Sequence, residues 1–576
     1  MSEFGEIRDR ESQVQLASRL SEKSDLRLVR LAFWTVAICA GLLQAWNARF
    51  SPSPDGTNYL DMAGAVLRGD WKDSVNGMWS PFYAWILAPF LALLRPTAYW
   101  ESAVLQLVNF VGLLLAFRCF EFLFRALLEM REHSVPLGSE KGSLGETGWW
   151  ILGYGLCLST ILFVQSVTVT TPDVWIFAFT CLIVGLIVRI RAARAAWHFG
   201  LLGLALACAY LTKAFYFPLT FVFLLAAWLA AGISRQTLKL VAFAFLVFCL
   251  AAGPFVITLS RGKHRLTFSD VGALNYVLEV DQIPRPSFWR GENGTGVPVH
   301  PARQLSSRPL LYEFATHAHG TYPPGFDWSY WMEGAKPRFN LRGQIRVLRH
   351  SVGTYFQIFL LQLEYSLPVL VLFFFAQDKS GWKTALYRYA YLWMPGFIAG
   401  LAYSLIHVED RYVAPFVLLL WISLFCRAFD AAADIPRGVA MALVFATISI
   451  TGIRLAKFLA SEVIVSASKQ ENVSWEISEQ LRALGLQRGD KVSAIAAPAG
   501  AYWAHLAGLT IVSEIPPGEQ DFFWTADPAT QRNVFKLFAG TGARLVVTKD
   551  PPPAAIDRGW IPLGDTSYYA HTLPLQ

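Results

Sequence analysis

The chain alternates apolar runs of about twenty residues with short polar breaks, and each such run is long enough to cross a bilayer core as a helix. The runs fall at roughly 28–48, 102–124, 149–168, 173–190, 197–212, 215–231, 238–259, 351–376, 390–406, 412–429 and 437–459. They predict a polytopic α-helical membrane protein of about eleven spans. No alternating ten-residue pattern points to a transmembrane barrel. The segment 81–94, PFYAWILAPFLALL, is short for a span and carries prolines at 81 and 89, so it is expected to lie in or dip into the outer leaflet. After residue 460 the pattern becomes alternating helix and strand. Helices are expected at 472–485, 500–508 and 528–540, and strands at 491–497, 509–513 and 544–548. This predicts a small C-terminal α/β domain, 461–576, built as a three-layer parallel sheet.

Basic residues orient the chain. Arg8, Arg10, Arg19, Lys23, Arg27 and Arg30 precede the first run, which makes residues 1–27 a cytoplasmic segment. Span parity then places loops 49–101 and 260–349, and the C-terminal domain, outside a plasma (inner) membrane. Arg189 to Arg194, Arg235, Lys239, Lys379, Lys383 and Arg388 fall on the cytoplasmic side, with 131–147 as a cytoplasmic linker. Arg454 and Lys457 are misfits at an outer end. The N-terminal thirty residues lack the short apolar core of a cleaved signal peptide.

Composition agrees. Hydrophobic residues make up 54% and charged residues 16%, with mean hydropathy +0.38. The net charge of +7 is spread over short basic loops on one face, which implies no nucleic-acid partner. The seven cysteines lie in or beside apolar runs without a CxxC pair, so they read as small buried hydrophobes rather than a disulfide or zinc framework.

Chemistry concentrates where polar groups interrupt the apolar runs on the external face. In SPDGTNYLDMA, Asp55 sits in a turn signal suited to a helix cap, and equally to a general base at the membrane edge. Tyr59 and Asp61 follow it as supporting groups. Asp173, in TPD, is either a cap or a carboxylate facing a cavity. Lys213, in YLTKAFYF, either snorkels to headgroups or meets a phosphate whose charge grows in the transition state. In HVEDRY, Arg411 can grip phosphate oxygens bidentately or simply pair with Glu409 and Asp410. His407, Glu409 and Tyr412 complete that group.

The pair His317 and His319, in HAHG, is a weak metal signal, and no metal site is expected. The aromatics of 260–349 suit sugar stacking or the bilayer surface, and arginines 285, 290, 303 and 308 suit an anionic ligand. APAGAY at 497–502 follows a strand but holds one glycine, too few for a nucleotide loop.

Taken in order, SPDGTNYLDMA, WSPFYAWILAPF (Trp79 to Phe90), TPD, YLTK and EDRYVAP (Glu409 to Pro415) resemble the GT-C superfamily of polyprenyl-phosphate-dependent glycosyltransferases. The resemblance covers roughly residues 28–460 and is nearest to the branch of protein O-mannosyltransferases and lipid A aminoarabinose transferases. It implies Asp55 as catalytic base, with Lys213 and Arg411 at the donor phosphate. Many relatives carry two adjacent acidic residues where this chain has Asp-Gly, so a second carboxylate must come from Asp173 or Asp61.

The expected activity is transfer of a sugar from a polyprenyl-phosphate donor to a lipid, glycan or protein acceptor outside the membrane. It would proceed by metal-independent inversion with no cofactor. A multi-span transporter or lipid flippase is the alternative; such proteins place ionisable groups near the midplane and repeat their halves. A non-catalytic scaffold is the third.

Overall fold

The computed structural model describes residues 2–132, 145–374, 387–430, 437–468, 470–496, 501–556 and 558–574. Most of the linker 131–147, Lys379, Lys383 and most of APAGAY lie outside the described residues.

The body is helical. It comprises α1 (Ser2–Asn47), α2 (Pro54–Arg68), α3 (Phe82–Leu94), α4 (Glu101–Glu132), α5 (Glu146–Ser159), α6 (Asp173–Ala192), α7 (Ala196–Thr212), α8 (Tyr216–Ala231) and α9 (Arg235–Gly262). After the large loop come α10 (Leu341–Leu361), α11 (Leu363–Phe374), α12 (Ala390–Ser404), α13 (Asp410–Asp430) and α14 (Arg437–Ala467). Among the described residues, six stretches are long and apolar enough to cross a membrane: Ser24–Asn47, Ala98–Met130, Glu146–Gln165, Asp173–Ala192, Arg235–Gly262 and Met441–Ala467. Phe82–Leu94, Ala196–Thr212 and Tyr216–Ala231 are apolar but shorter. The run 351–376 is divided at Gln362, between α10 and α11. The Gln362 amide is buried, donating to Thr160 at 2.7 Å and accepting from Trp421 at 2.9 Å.

Close helix contacts rest on small residues. A Cβ on Gly203 of α7 would sit 2.1 Å from the Ala244 carbonyl of α9, so only glycine lets these helices approach as they do. Charges inside the bundle are neutralised in place. Glu121, buried on α4, accepts from Arg30, Trp34 and Tyr154. Arg454, the misfit of the charge pattern, pairs with buried Glu364 at 2.7 Å, which offsets part of the cost of burying both charges. Cys39 and Cys249 correct the reading of all cysteines as buried, because both lie on exposed helix faces.

The C-terminal region holds α15 (Val473–Ala483), α16 (Tyr502–Ala507) and α17 (Pro528–Gly540) around the strands β3 (Lys491–Ile495), β4 (Thr510–Ile515) and β5 (Ala543–Lys549). These three strands run parallel in the order β4-β3-β5. The sheet is larger and more mixed than a purely parallel one. The external loop contributes β1 (Arg303–Ser307) and β2 (Leu310–Glu313), and β2 pairs antiparallel with β4 through Tyr312 opposite Glu514. At the other edge, β6 (Ile561–Pro562) and β7 (Tyr568–Thr572) add antiparallel strands. The sequence could not show this because β1 and β2 lie about two hundred residues upstream, where no local pattern names their partner.

One face of the sheet buries Val492, Ala494 and Ile511 against Leu481 and Trp503; the other buries Ile495, Val512 and Ile515 against Phe538. Helix α16 joins the sheet to the bundle, since its Tyr502 and Leu506 pack into the bundle core. The sheet therefore roofs one end of the helices rather than hanging free.

Candidate active site

Helix α2 begins the site. Ser53 caps it, accepting from the Gly56 amide at 3.2 Å, with Pro54 in the first turn. The cap is thus Ser53, which leaves the Asp55 carboxylate uncommitted to the helix end. The start of α2 is pressed against the loop before α6: the Ser53 amide donates to Thr170 Oγ1 at 2.8 Å, and a Cβ on Gly56 would lie 2.2 Å from the same atom. There is no room for a side chain beside Asp55, which is the physical reason the motif reads Asp-Gly.

A second carboxylate, Asp173, lines the same cavity as Asp55. It opens α6 after Pro172, and its buried side chain accepts from Thr171 Oγ1 at 2.8 Å and forms an ion pair with Lys213. The Lys213 backbone is extended where α7 ends, so the lysine falls in the break before α8. Its ammonium also sits 3.3 Å from the centre of the Tyr412 ring, a cation–π contact. Both features hold the cation in one position.

Arg411, in the first turn of α13, closes the array. Its guanidinium lies 2.6 Å from Glu409, 3.6 Å from Asp173 and 3.8 Å from Asp55, and donates to Thr171 at 3.4 Å. Glu409 accepts in turn from His407 at 3.0 Å. Burial works against the Glu409 charge, but His407 and Arg411 outweigh it and hold the carboxyl down to about 2. The bond to Glu409 raises His407 above its ordinary value, against burial. Asp55 moves the opposite way: burial pushes its carboxyl up, Asp173 and Glu409 add to the rise, and Arg411 and Lys213 oppose it.

These side chains line one cavity of about 970 Å³. Asp55, Tyr59, Asp173, Lys213, His407, Glu409, Arg411 and Tyr412 all border it. Apolar side chains of Trp79, Phe215, Pro218, Phe268 and Ile406 line the same cavity. Tyr59 is buried and packs edge-on against Tyr83 at 4.9 Å, so it shapes the floor.

Asp61 is the exception. Six residues along α2 from Asp55, it points to another face and accepts from the Thr321 amide at 2.7 Å and from His505 at 2.7 Å. His505 is a residue the sequence did not single out. It sits on α16 between Asp61 and Glu101, at 2.7 and 3.0 Å, and these carboxylates push it up to about 10 in spite of burial. A lone histidine in a short helix carries no local signal of such partners. Arg285, Ser287 and Tyr322 of the large loop also border the cavity, and Tyr322 donates to buried Glu514 at 2.9 Å.

His317 and His319 go to separate partners: His319 pairs with Asp73 at 3.2 Å, and His317 packs on Tyr330. The described residues hold no group of three or more His, Cys, Asp and Glu side chains placed as metal ligands.

No family model matches the chain, and no curated protein matches it. Among solved structures it is similar to ArnT from Cupriavidus metallidurans bound to undecaprenyl phosphate, with 12% identity, 94% of this chain and 97% of that chain covered, and a TM-score of 0.41. The apo state of the same protein aligns at 14% identity over 94% and 98% of the two chains, with a TM-score of 0.40.

Proposed function

We propose that the chain is a membrane glycosyltransferase that moves a sugar from a polyprenyl-phosphate donor to an acceptor hydroxyl on the extracytoplasmic face. The observation that carries this reading is the meeting of Asp55, Asp173, Lys213 and Arg411 in one cavity whose lining also holds apolar side chains. An amphipathic donor needs that combination: cations for its phosphate and an apolar wall for its chain.

In this reading the acceptor oxygen attacks the anomeric carbon as the bond from that carbon to the phosphate oxygen breaks. Asp55 takes the acceptor proton, and the polyprenyl phosphate leaves with the bonding electron pair. A single displacement inverts the anomeric centre. Arg411 and Lys213 stabilise the charge that gathers on the departing phosphate. Asp173 fixes both cations from the buried side, so that two like charges are held together without drifting apart. Burial raises the Asp55 carboxyl, which makes it a stronger base than an ordinary aspartate.

The donor part of the reading is tested by binding undecaprenyl phosphate to purified wild-type protein and to Arg411→Gln and Lys213→Gln. Wild type is expected to bind, and each variant to lose at least about tenfold, as when a charge-assisted hydrogen bond is removed. Equal affinity in all three proteins would reject the assignment of the cations.

A further inference from the structure

A second cavity of about 1120 Å³ opens on the other side of α2, between the ends of α2 and α3 and the C-terminal domain. Its wall holds Arg68 from the last turn of α2, Arg95 at the C-terminal cap of α3, and Arg488 from the turn before β3. Three parts of the chain far apart in sequence thus bring guanidinium groups to one hollow. All three are exposed. Among the described residues none of them has a carboxylate within ion-pair distance, whereas nearby Arg482 is paired with Glu479.

The acidic groups of the same wall are already taken. Asp61 and Glu101 both bind His505, and Asp73 binds His319. Unpaired arginines beside carboxylates that are each held by a histidine leave a positive hollow with its donors free. Arginine is suited to phosphate, which it grips with two parallel N–H groups.

The place of the hollow says what carries the phosphate. Arg95 stands three residues before the stretch Ala98–Met130 that is long and apolar enough to span the membrane, and a basic residue at such an end suits the headgroup region. Leu67 lines the hollow and is exposed, and Trp71 and Leu93, close in sequence to the arginines, are exposed too, Leu93 at 82%. A soluble anion has no use for such a rim. A lipid does, since its headgroup meets the arginines while its upper acyl chain covers the leucines.

We propose that this hollow is a binding site for the phosphate headgroup of an anionic membrane lipid, separate from the cavity that holds Asp55. The site clamps the C-terminal domain to the bilayer edge through Arg488, and the helical body through Arg68 and Arg95.

Hydrogen exchange of the full chain in nanodiscs tests this. Residues 64–72 and 486–490 are followed as phosphatidylglycerol replaces phosphatidylcholine, with a parallel arm of inorganic phosphate in pure phosphatidylcholine. In wild type, exchange in both segments is expected to slow as phosphatidylglycerol is added, and inorganic phosphate to leave it unchanged. The variant R68Q/R95Q/R488Q is expected to need about 100-fold more anionic lipid, from about fivefold for each arginine near a charged surface. The variant R68K/R95K/R488K keeps the charge but loses the paired N–H groups, so its slowing is expected to fall between wild type and R68Q/R95Q/R488Q. No slowing with phosphatidylglycerol, or slowing that survives in R68Q/R95Q/R488Q, would overturn the site. Equal slowing by inorganic phosphate alone would overturn the lipid as its source.

Discussion

Arg411 stands 3.8 Å from Asp55, close enough to favour its charge yet beyond hydrogen-bond reach. The guanidinium spends its short bond on Glu409 at 2.6 Å instead. Asp55 is therefore near a cation without being locked to it, and no hydrogen bond from the described residues occupies its oxygens. In the proposed reaction that leaves them open to an acceptor hydroxyl. Replacing Arg411 by Lys keeps the charge but removes the planar fork, so donor affinity is expected to fall about 10-fold, and with Arg411→Ala about 100-fold. Titration of undecaprenyl phosphate against the purified variants gives both numbers, and a Lys variant equal to wild type would show that the fork is not used.

The Lys213–Asp173 pair makes a different demand. Both groups are largely removed from solvent, at 19% and 3% side-chain exposure. Removing either one strands the other, which costs about 3–5 kcal/mol for a buried pair. Lys213→Met and Asp173→Asn are each expected to lower thermal stability clearly, while the double variant recovers part of the loss. A double variant whose loss equals the sum of the single losses would deny the coupling.

The Asp-Gly dipeptide can be tested as packing. Gly56→Ala places a methyl 2.2 Å from Thr170 Oγ1, so α2 must shift and carry Asp55 with it. Turnover is expected to fall about 10- to 100-fold, by the sensitivity of catalysis to small misplacements. Thr170→Gly in the same chain is expected to restore part of it, and turnover measured on the single and double variants decides the matter.

Much of this site was legible along the chain. Asp55, Asp173, Lys213 and Arg411 each break an apolar run, and a charge placed there is costly unless it faces a cavity. What the sequence could not give was how they share partners. The pairing of Lys213 with Asp173 joins α7 to α6 through side chains, and no periodicity encodes it. Asp61 shows the same limit: six residues is not a whole number of helical turns, so it leaves the face of Asp55 and finds His505 instead. Six of the expected runs were readable as stretches long enough to cross a membrane because each is apolar through its own length. Strands β1 and β2 were not, because their partner β4 lies in another region of the chain.

His505 gives the roof of the molecule a pH dependence. Its imidazole is raised from an ordinary 6.5 to about 10 between Asp61 and Glu101. A raised folded value means that its stabilisation is complete below about 6.5 and is lost as pH climbs through about 10. Docking of the C-terminal domain is expected to weaken over that window, seen as faster hydrogen exchange in α16. In His505→Gln the same segment is expected to exchange fast at every pH, with no such transition.

The Asp55 carboxyl is raised by burial, so the acid side of the rate profile is expected above the value near 4 of a free aspartate. Below that limb the base is protonated and transfer stops. A profile of kcat/KM whose acid limb sits at or below 4 would remove Asp55 from that role.

The most direct test of the central claim compares wild type with Asp55→Asn on a panel of synthetic undecaprenyl-phosphoryl sugars, following both undecaprenyl phosphate binding and its release from the sugar. The amide keeps the shape of the carboxylate and cannot accept the proton. Binding is expected to stay within about threefold, because the proposed phosphate contacts are Arg411 and Lys213, while release falls about 100- to 10,000-fold, the range for a lost general base. Release unchanged in Asp55→Asn, with binding intact, would contradict the account.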